Sequence, residues 1–289
     1  MSVLIQELFE VVTGNVIWVD SAANSTTASG SFNRPLLTVQ AGVDKATASN
    51  GDLVLVKPGH AETVTSQIDF DTAGVTVRGL GKGNLRPTIT TTTAAIDTID
   101  VSAANVTLEN FIFAAPGFDA ITADVNVDAA GFTCRNCRST GSATSMNKVS
   151  YFTITANGDD CLIEGFRASN TVVDMVIGID VAAATRVEVA DCKMTGSASI
   201  GFTGGAIADS GLANDLLVHD CVLANIGAAG EGITLGNNSI GMVWNTRSST
   251  RHDTIASAHT LGSGADGFQS FATANVSKNG AIAPVVDAD

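Results

Sequence analysis

The chain has 289 residues, which is enough to bury a large core either as one elongated domain or as two compact ones. Charged residues make up only 15% of it and aromatic residues only 5%, so the aromatic and leucine clusters of an ordinary globular domain are not expected. The net charge of −14 would repel DNA, RNA and anionic lipid, and this argues against nucleic acid or a membrane as a partner.

Residues 1–14 are predicted to form an N-terminal arm. Their apolar run has no basic segment before it, and Gln6, Glu7 and Glu10 interrupt it. This pattern does not match a signal peptide, and no later segment is long and apolar enough to span a bilayer. We therefore expect a protein that is made in the cytoplasm and that leaves a cell only inside a particle.

A helix is predicted from about residue 36 to residue 48, after a short apolar strand around Trp18. Pro35 suits the first turn of a helix, because its φ is fixed and it has no N–H to donate. Apolar residues then recur at helical spacing until Asn50 and Gly51 end the pattern. Residues 52–57 follow as a buried strand. One helix followed only by strands indicates a solenoid with a helical cap.

This segment resembles the entry to the pectate-lyase-like right-handed parallel β-helices. The matching residues are Pro35, residues 38–41, Gly51-Asp52, Pro58-Gly59 and Glu62. The resemblance implies the fold, but it does not imply one activity, because the same fold occurs in lyases, hydrolases, adhesins and phage virion proteins.

Six later segments share one pattern: turn residue, apolar, any, apolar, any, turn residue, apolar. They begin at Gly74, Asn105, Gly131, Asp160, Arg186 and Asp215. Their spacing of 26 to 31 residues is typical of a solenoid with several short strands in each turn. Together with the resemblance, the repeat predicts an all-β, right-handed parallel β-helix over residues 15–248, with the helix covering its first open edge.

The repeat also assigns residues to columns that run from turn to turn. The seventh position is predicted to point inward, and it holds Leu80, Phe111, Cys137, Phe166, Cys192 and Cys221. The sixth position is predicted to form a stacked corner, because it holds residue types that tolerate left-handed backbone: Gly79, Asn110, Asn136, Gly165, Asp191 and Asp220.

Two outward columns carry charge. The fifth position alternates in sign, with Arg78, Glu109, Arg135 and Glu164, and is interpreted as an exposed charge ladder. The eighth position places Arg138, Arg167 and Lys193 in file on an acidic protein. Like charges in file are unfavourable unless an anion meets them, so these three residues are the predicted partner contact; the alternative is a solvated face.

The cysteines and the last residues suggest no chemistry. The five cysteines include a local C-x-x-C at Cys134 and Cys137, without the second ligand pair that a metal site needs. Cys192 and Cys221 lie on adjacent turns, where a disulfide is possible in principle, but we expect buried, reduced thiols. Residues 249–289 are rich in small and polar residues and are predicted to form a C-terminal arm or cap.

Polysaccharide lyases and hydrolases of the resembled family use carboxylate clusters, and two acidic groups of this sequence are candidates for that role. The only adjacent pair, Asp159-Asp160, lies in an Asn-Gly-Asp-Asp turn and is interpreted as turn chemistry. The other group could surround a cation from neighbouring turns, or could simply solvate the strands; it comprises Asp97, Asp100, Asp124 and Asp128.

The four histidines do not occur in a Gly-His-Gly motif and are interpreted as surface or corner residues: His60, His219, His252 and His259. One tyrosine and two tryptophans cannot pave a glycan groove. We therefore expect no catalytic residues, no metal and no cofactor, and a protein that is not an enzyme.

The Pro58-to-Val64 entry and the loop from Gly79 to Pro87 resemble β-helical proteins of tailed-phage structural modules. This resemblance implies a virion structural protein, most simply a capsid decoration (cement) protein on the outer surface of the head. Its expected partners are the major capsid protein and itself, as a homotrimer. The alternatives are a tail-associated or receptor-binding protein and a polysaccharide lyase or hydrolase.

Overall fold

The computed structural model describes residues 13–24, 26–115, 121–141, 148–170, 175–196, 201–225, 231–235, 239–250, 259–261, 267–271 and 274–277. Nearly all of the predicted N-terminal arm, and residues 278–289, lie outside this part of the chain. In the described residues the only α-helix is α1 (Val39–Lys45), and no helix there has the length and apolar character needed to cross a membrane.

Three parallel sheets make up the described structure, and the chain visits them in turn. The first sheet has ten strands: β1 (Val16–Val19), β2 (Leu53–Val56), β5 (Thr76–Gly79), β8 (Thr107–Glu109), β11 (Thr133–Arg135), β14 (Leu162–Glu164), β17 (Glu188–Ala190), β20 (Leu216–His219), β23 (Ile240–Trp244) and β26 (Gly267–Phe271). Each is joined to the next by backbone pairing between successive turns.

The other two sheets complete each turn. The second sheet has nine strands: β3 (Ala61–Val64), β6 (Thr88–Thr91), β9 (Ile112–Ala115), β12 (Arg138–Gly141), β15 (Arg167–Asn170), β18 (Lys193–Gly196), β21 (Val222–Asn225), β24 (Arg247–Thr250) and β27 (Ala274–Ser277). The third sheet has eight: β4 (Ile68–Phe70), β7 (Ile99–Val101), β10 (Ile121–Val127), β13 (Lys148–Ile154), β16 (Met175–Val181), β19 (Phe202–Ala208), β22 (Ile233–Leu235) and β25 (His259–Leu261). The predicted parallel β-helix is confirmed.

The register of the first sheet reproduces the sequence repeat. The fourth positions of the six segments pair in order from turn to turn: Val77, Leu108, Cys134, Ile163, Val189 and Val218. All six side chains are buried, and they belong to one continuous apolar cluster that runs from Ile17 to Val243. Because each turn packs on both neighbours, the core is shared along the stack and is not divided into separate globules.

Left-handed backbone marks both ends of the first-sheet strands. The first position of every segment has positive φ, at Gly74, Asn105, Gly131, Asp160, Arg186 and Asp215. The sixth position does too, except at Gly79, where the prediction is wrong. Gly79 is needed for a different reason, because a Cβ there would lie 2.6 Å from the backbone oxygen of Asn110. Asn110 Nδ2 in turn donates to the Gly79 carbonyl at 2.7 Å.

The inward column is also correct with one exception. Phe111, Cys137, Phe166, Cys192 and Cys221 are buried, whereas Leu80 is only half-buried. Leu80 leads into the loop that contains the 3₁₀ helix Gly83–Leu85, so less of the chain covers it. All five cysteines are buried and carry free thiols.

Helix α1 is shorter than predicted. It spans Val39–Lys45 and not residues 36–48, and Thr38 is its N-cap, whose Oγ1 accepts from Ala41 N at 3.2 Å. Pro35 lies outside the helix because Leu36 pairs in parallel with Val19, which keeps this segment extended. Tertiary pairing therefore overrode the preference of proline for a first turn.

The helix closes an edge of the stack through a side chain. Gln40 Oε1 accepts from the backbone N–H of Asp69 at 2.7 Å, and Gln40 Nε2 donates to the carbonyl of the same residue at 3.2 Å. Asp69 lies in β4, which is the edge strand of the third sheet. The amide of Gln40 thus replaces the missing strand there, as the predicted role of the helix as a cap requires.

Two buried polar residues explain the entry motif. Asp52 accepts hydrogen bonds from Asn15 N at 2.6 Å, Thr47 N at 2.7 Å and Asn50 Nδ2 at 2.7 Å, so its carboxylate joins the segment before β1 to the loop between α1 and β2. His60 accepts from Ser21 N through Nδ1 at 2.9 Å, which places its proton on Nε2, 3.1 Å from Glu62 Oε2. The motif is therefore a fold signature.

The sheets extend past residue 248, which was the predicted end of the β-helix. Strands β25, β26 and β27 pair with β22, β23 and β24, one in each sheet. The predicted C-terminal arm or cap of residues 249–289 therefore contains further strands of the stack. The sequence did not show this because strand pairing uses backbone groups, which leave no mark where the inward apolar pattern is weak.

Candidate partner-binding groove

Three cations stack in register on the outer face of the second sheet. Arg138 pairs with Arg167, and Arg167 pairs with Lys193, at the first positions of β12, β15 and β18. Neighbouring parallel strands lie about 4.8 Å apart, so the three positively charged side chains follow one another at that interval. Ile112 precedes the column in the sheet and Val222 follows it, so this run of charge covers three strands.

The column lines an open groove of about 440 Å³. Its walls are Arg138, Arg167 and Lys193 together with a fourth cation, Arg86, and the apolar side chain of Ile112. Arg86 also lines an adjoining groove of about 530 Å³. The two grooves therefore meet at Arg86, where the chain turns from the first sheet into the second.

The four cations differ in the hydrogen bonds and ion pairs that they already make within the protein. Arg167 Nη2 contacts both carboxylate oxygens of Asp191, at 3.1 and 3.0 Å. Arg86 Nη1 donates to the Asn136 carbonyl at 2.9 Å, and its buried Nε has no hydrogen-bond partner in the described part of the chain. Within that same part, no ion pair joins the exposed Arg138 or Lys193 to a carboxylate.

This arrangement is suited to binding a multivalent anion. Guanidinium groups donate two parallel hydrogen bonds to a carboxylate or phosphate, and the groove presents three of them beside one ammonium. The positive groove lies on a chain of net charge −14, so an anion would be attracted locally even though the whole molecule repels it.

The adjacent charge ladder is internally paired. Arg78 is ion-paired with Glu109, and Arg135 Nε lies 2.9 Å from Glu164 Oε2. These residues stand opposite one another in the first sheet, as the repeat predicts. They therefore carry less free positive charge than the groove does.

The acidic residues that are candidates for catalysis make contacts within the fold. Asp160 has left-handed backbone, and hydrogen bonds from Arg186 lower the pKa of its carboxyl. Asp159 Oδ1 accepts from Thr185 N at 2.8 Å in the next turn. The pair is thus engaged in corner and cross-turn contacts, as turn chemistry requires.

The four aspartates that could have surrounded a cation are not brought together. Asp124 is buried inside and contacts Lys148, whereas Asp128 accepts hydrogen bonds from Thr155 and Asn157 on the outside. Burial and the charge of Asp100 raise the pKa of Asp97 to about 6. No group of three or more potential metal ligands occurs within the described residues.

Of the histidines, His60 belongs to the buried entry network and His219 lies on the outer face of the first sheet. The His219 ring stacks on Trp244 with 4.2 Å between ring centroids and contacts Glu188 and Asp220. His252 lies outside the described residues, and for His259 only the strand that contains it is described.

Known structures share the architecture of this chain. A pectin methylesterase from Aspergillus niger matches with a TM-score of 0.56 and 16% identity over 95% of this chain and 88% of that one. The pectate lyase Pel9A matches with a TM-score of 0.52 and 15% identity over 97% and 79% of the two chains. The fold is that of the pectate-lyase-like right-handed parallel β-helices.

At these identities the likeness shows the fold of the β-helix alone. A chain named Geobacillus virus E2 ORF18 is also similar, with a TM-score of 0.44 and 10% identity over 89% of this chain and 59% of that one. No protein-family model matches the sequence. No curated protein matches it either.

The sequence repeat predicted the column of Arg138, Arg167 and Lys193 in this β-helix, but it did not predict two other features. Arg86 lies in the loop before β6, and a repeat alignment carries no information about which loop side chains reach a neighbouring sheet. The second feature is the buried group of Lys148, Asp124 and Ser139. The available sequence signal for this group was Lys148, which stands at a repeat position where the other turns have an apolar residue.

Proposed function

We propose that this β-helix is a non-enzymatic structural protein of a tailed-phage virion. In this proposal it is a capsid decoration protein on the outer surface of the head, present as a homotrimer. Its groove of Arg86, Arg138, Arg167 and Lys193 binds an acidic segment of the major capsid protein. The resemblance of the entry motif and of the Gly79-to-Pro87 loop to phage structural proteins supports the virion assignment.

The observation that carries the proposal is the column of like charges in the groove. Arg138 and Lys193 flank Arg167 at strand spacing, and neither has an ion-pair partner in the described residues. Such a column opposes folding slightly, so its presence on an acidic protein favours an external anionic partner. A carboxylate-rich protein segment supplies that charge.

The architecture suits a part that must persist. The stack is closed at its first edge by Gln40, and the entry loops are fastened by the buried Asp52 and His60. Its cohesion comes from contacts between turns. A rigid scaffold of this kind unfolds slowly, which is useful on the outside of a particle.

Binding to capsids tests the proposal directly. The double variant Arg138→Glu/Lys193→Glu should bind heads that lack this protein at least about tenfold more weakly than the wild type in co-sedimentation. Arg34→Glu/Lys45→Glu reverses two exposed charges outside the groove and should bind normally. Wild-type binding should also weaken as salt rises.

Copy number separates this proposal from a role in the tail. Band intensity from purified particles should place a decoration protein close to the major capsid protein, whereas a tail-associated or receptor-binding protein is present in few copies. Failure of the wild type to bind heads, or a low copy number, would refute the decoration role.

A second candidate is an enzyme acting on an acidic polysaccharide. It is favoured by the fold, which this chain shares with a pectin methylesterase and a pectate lyase. The candidate predicts release of reducing ends, unsaturated products or methanol from a panel of acidic glycans, and loss of that activity in Asp159→Ala or Asp160→Ala. Activity with this dependence would replace the structural proposal.

A further inference from the structure

A polar cluster is enclosed between the second and third sheets. Lys148 begins β13 and is 1% exposed, and its Nζ is in direct contact with Oδ1 of Asp124 in β10, which is fully buried. Lys148 Nζ also donates to Ser139 Oγ at 2.8 Å, and Ser139 Oγ donates to Asp124 Oδ2 at 2.6 Å. The three side chains therefore form a closed ring of contacts.

The cluster replaces apolar residues of the repeat. Lys148 stands opposite Ile121 in the third sheet, and the corresponding residues of the next turns are Met175 and Phe202, which pair with each other. Ser139 likewise stands between Phe113 and Ala168 in the second sheet. The stack could be filled without these polar groups, so their presence needs a reason other than packing.

Burial favours the uncharged forms of the two reactive groups. Removal from water raises the pKa of the Asp124 carboxyl and lowers the pKa of the Lys148 amine, although their mutual attraction opposes both shifts. A neutral amine held against a neutral carboxyl group is the pair from which an amide forms. Adjacent strands fix the two groups in contact, which gives a high effective concentration.

We propose that Lys148 and Asp124 become joined by an intramolecular amide bond that links two neighbouring turns. Lys148 Nζ attacks Cγ of Asp124 and forms the new C–N bond. A proton from Nζ passes through the Ser139 hydroxyl to Oδ2, which already carries the proton of the neutral carboxyl group, so that the Cγ–Oδ2 bond breaks and Oδ2 leaves with both protons as one water molecule. Oδ1 remains as the amide oxygen, and the reaction needs no oxidant, reductant or other reagent.

The surroundings of the cluster suit this condensation. Tyr151 is the neighbour of Asp124 across the strand pair, and its ring packs against Phe166 and Phe202 at centroid distances of 5.4 and 6.2 Å. These aromatic rings keep bulk water away, which disfavours the reverse hydrolysis. The Tyr151 hydroxyl is buried without a hydrogen-bond partner among the described residues, and burial together with the nearby Asp124 raises its pKa.

Mass spectrometry of the unfolded full-length chain tests the amide. The wild type should be lighter than its sequence by one water molecule, and trypsin should leave the bond after Lys148 uncut and yield a branched peptide containing Asp124 and Lys148. Lys148→Met, which copies Met175, and Asp124→Ala should each have the mass of their sequence. Ser139→Ala, which copies Ala168, should show a smaller linked fraction in freshly expressed protein.

Two outcomes would overturn the inference. One is a wild-type chain at its full sequence mass that trypsin cleaves after Lys148. The other is a loss of water that persists in Lys148→Met, because that loss would arise from a side chain closing on its own backbone. The cross-link concerns the interior and is independent of the groove, so neither result bears on the proposed partner.

Discussion

His219 stands on the first sheet between two carboxylates and an indole ring. Burial lowers the pKa of its imidazole, but hydrogen bonds to Asp220 and Glu188 outweigh this, so the net pKa is raised. A raised folded pKa gives stability that is fully present below the unfolded value and is lost as pH rises through the folded value. His219 therefore stabilises the stack most under mildly acidic conditions.

The first prediction concerns His219→Gln. The substitution should lower the free energy of unfolding by up to about 1 kcal/mol more at about pH 5.5 than at about pH 8.5, because only the protonated ring donates to both acids. Urea unfolding at the two pH values measures this. Glu188→Gln, with His219 retained, should make the free energy of unfolding less dependent on pH. An equal loss of stability at both pH values in His219→Gln would contradict the assignment.

The second prediction concerns Asp52, which is 1% exposed and accepts from the N–H groups of Asn15 and Thr47. Asp52→Ala should cost about 1–3 kcal/mol, because two partly buried backbone N–H groups lose a charged acceptor. Asp71→Ala removes an exposed aspartate and should cost less than about 0.5 kcal/mol. Equal midpoints in urea for the two variants would show that the entry network contributes nothing.

At the scale of the element, α1 acts through one side chain as well as through its apolar face. Val39 and Val43 are buried against the first strands, and the side-chain amide of Gln40 forms hydrogen bonds with the backbone N–H and C=O of Asp69. Glu62 Oε2 accepts from Val39 N at 2.8 Å, so the helix start is held by a residue of the second sheet. The cap is therefore attached to more than one side of the stack.

The third prediction follows from this attachment. Gln40→Ala should cost about 1 kcal/mol and expose the Asp69 amide, so that its hydrogen exchange becomes much faster. Gln67→Ala, which removes only the contact of Gln67 with the Asp69 carboxylate, is the matched control. Unchanged exchange at Asp69 in Gln40→Ala would mean that the edge is covered by other groups.

The repeat made the elements and the groove predictable to different degrees. A period of 26 to 31 residues fixes which residues share a column, so the file of Arg138, Arg167 and Lys193 could be predicted from spacing alone. The predicted helix is too long at both ends; at its start, Leu36 pairs with Val19, and no local rule reports such a partner. The place of Arg86 in the groove could not be predicted either, because it is set by how the loop before β6 folds back.

At the scale of the whole molecule, the interior formed by the described residues is continuous and holds all five cysteines. Burial raises the pKa of the thiols of Cys134, Cys161 and Cys192. Cys221 differs, because a hydrogen bond from Cys192 outweighs burial and lowers its pKa. Their chemical reactivity thus reports on opening of the stack.

The fourth prediction is that native protein reacts with a thiol reagent only at the rate at which it opens, and that all five thiols react after unfolding. Where opening is partial, Cys221 should be modified first, as peptide mapping would show. Rapid labelling of Cys134 or Cys161 in the native state would contradict a single continuous core.

The two columns of left-handed corners have an evolutionary consequence. Each copy of the unit begins with a residue of left-handed backbone and, except at Gly79, ends with one, and the side-chain contacts of Asn110, Asp160 and Asp191 reach only the adjacent turn, so whole copies can be gained or lost while the neighbours keep their alignment. The length of such a rod is set by gene duplication and not by the redesign of a core. Relatives of this chain are therefore expected to differ by whole multiples of one unit, with both ends preserved.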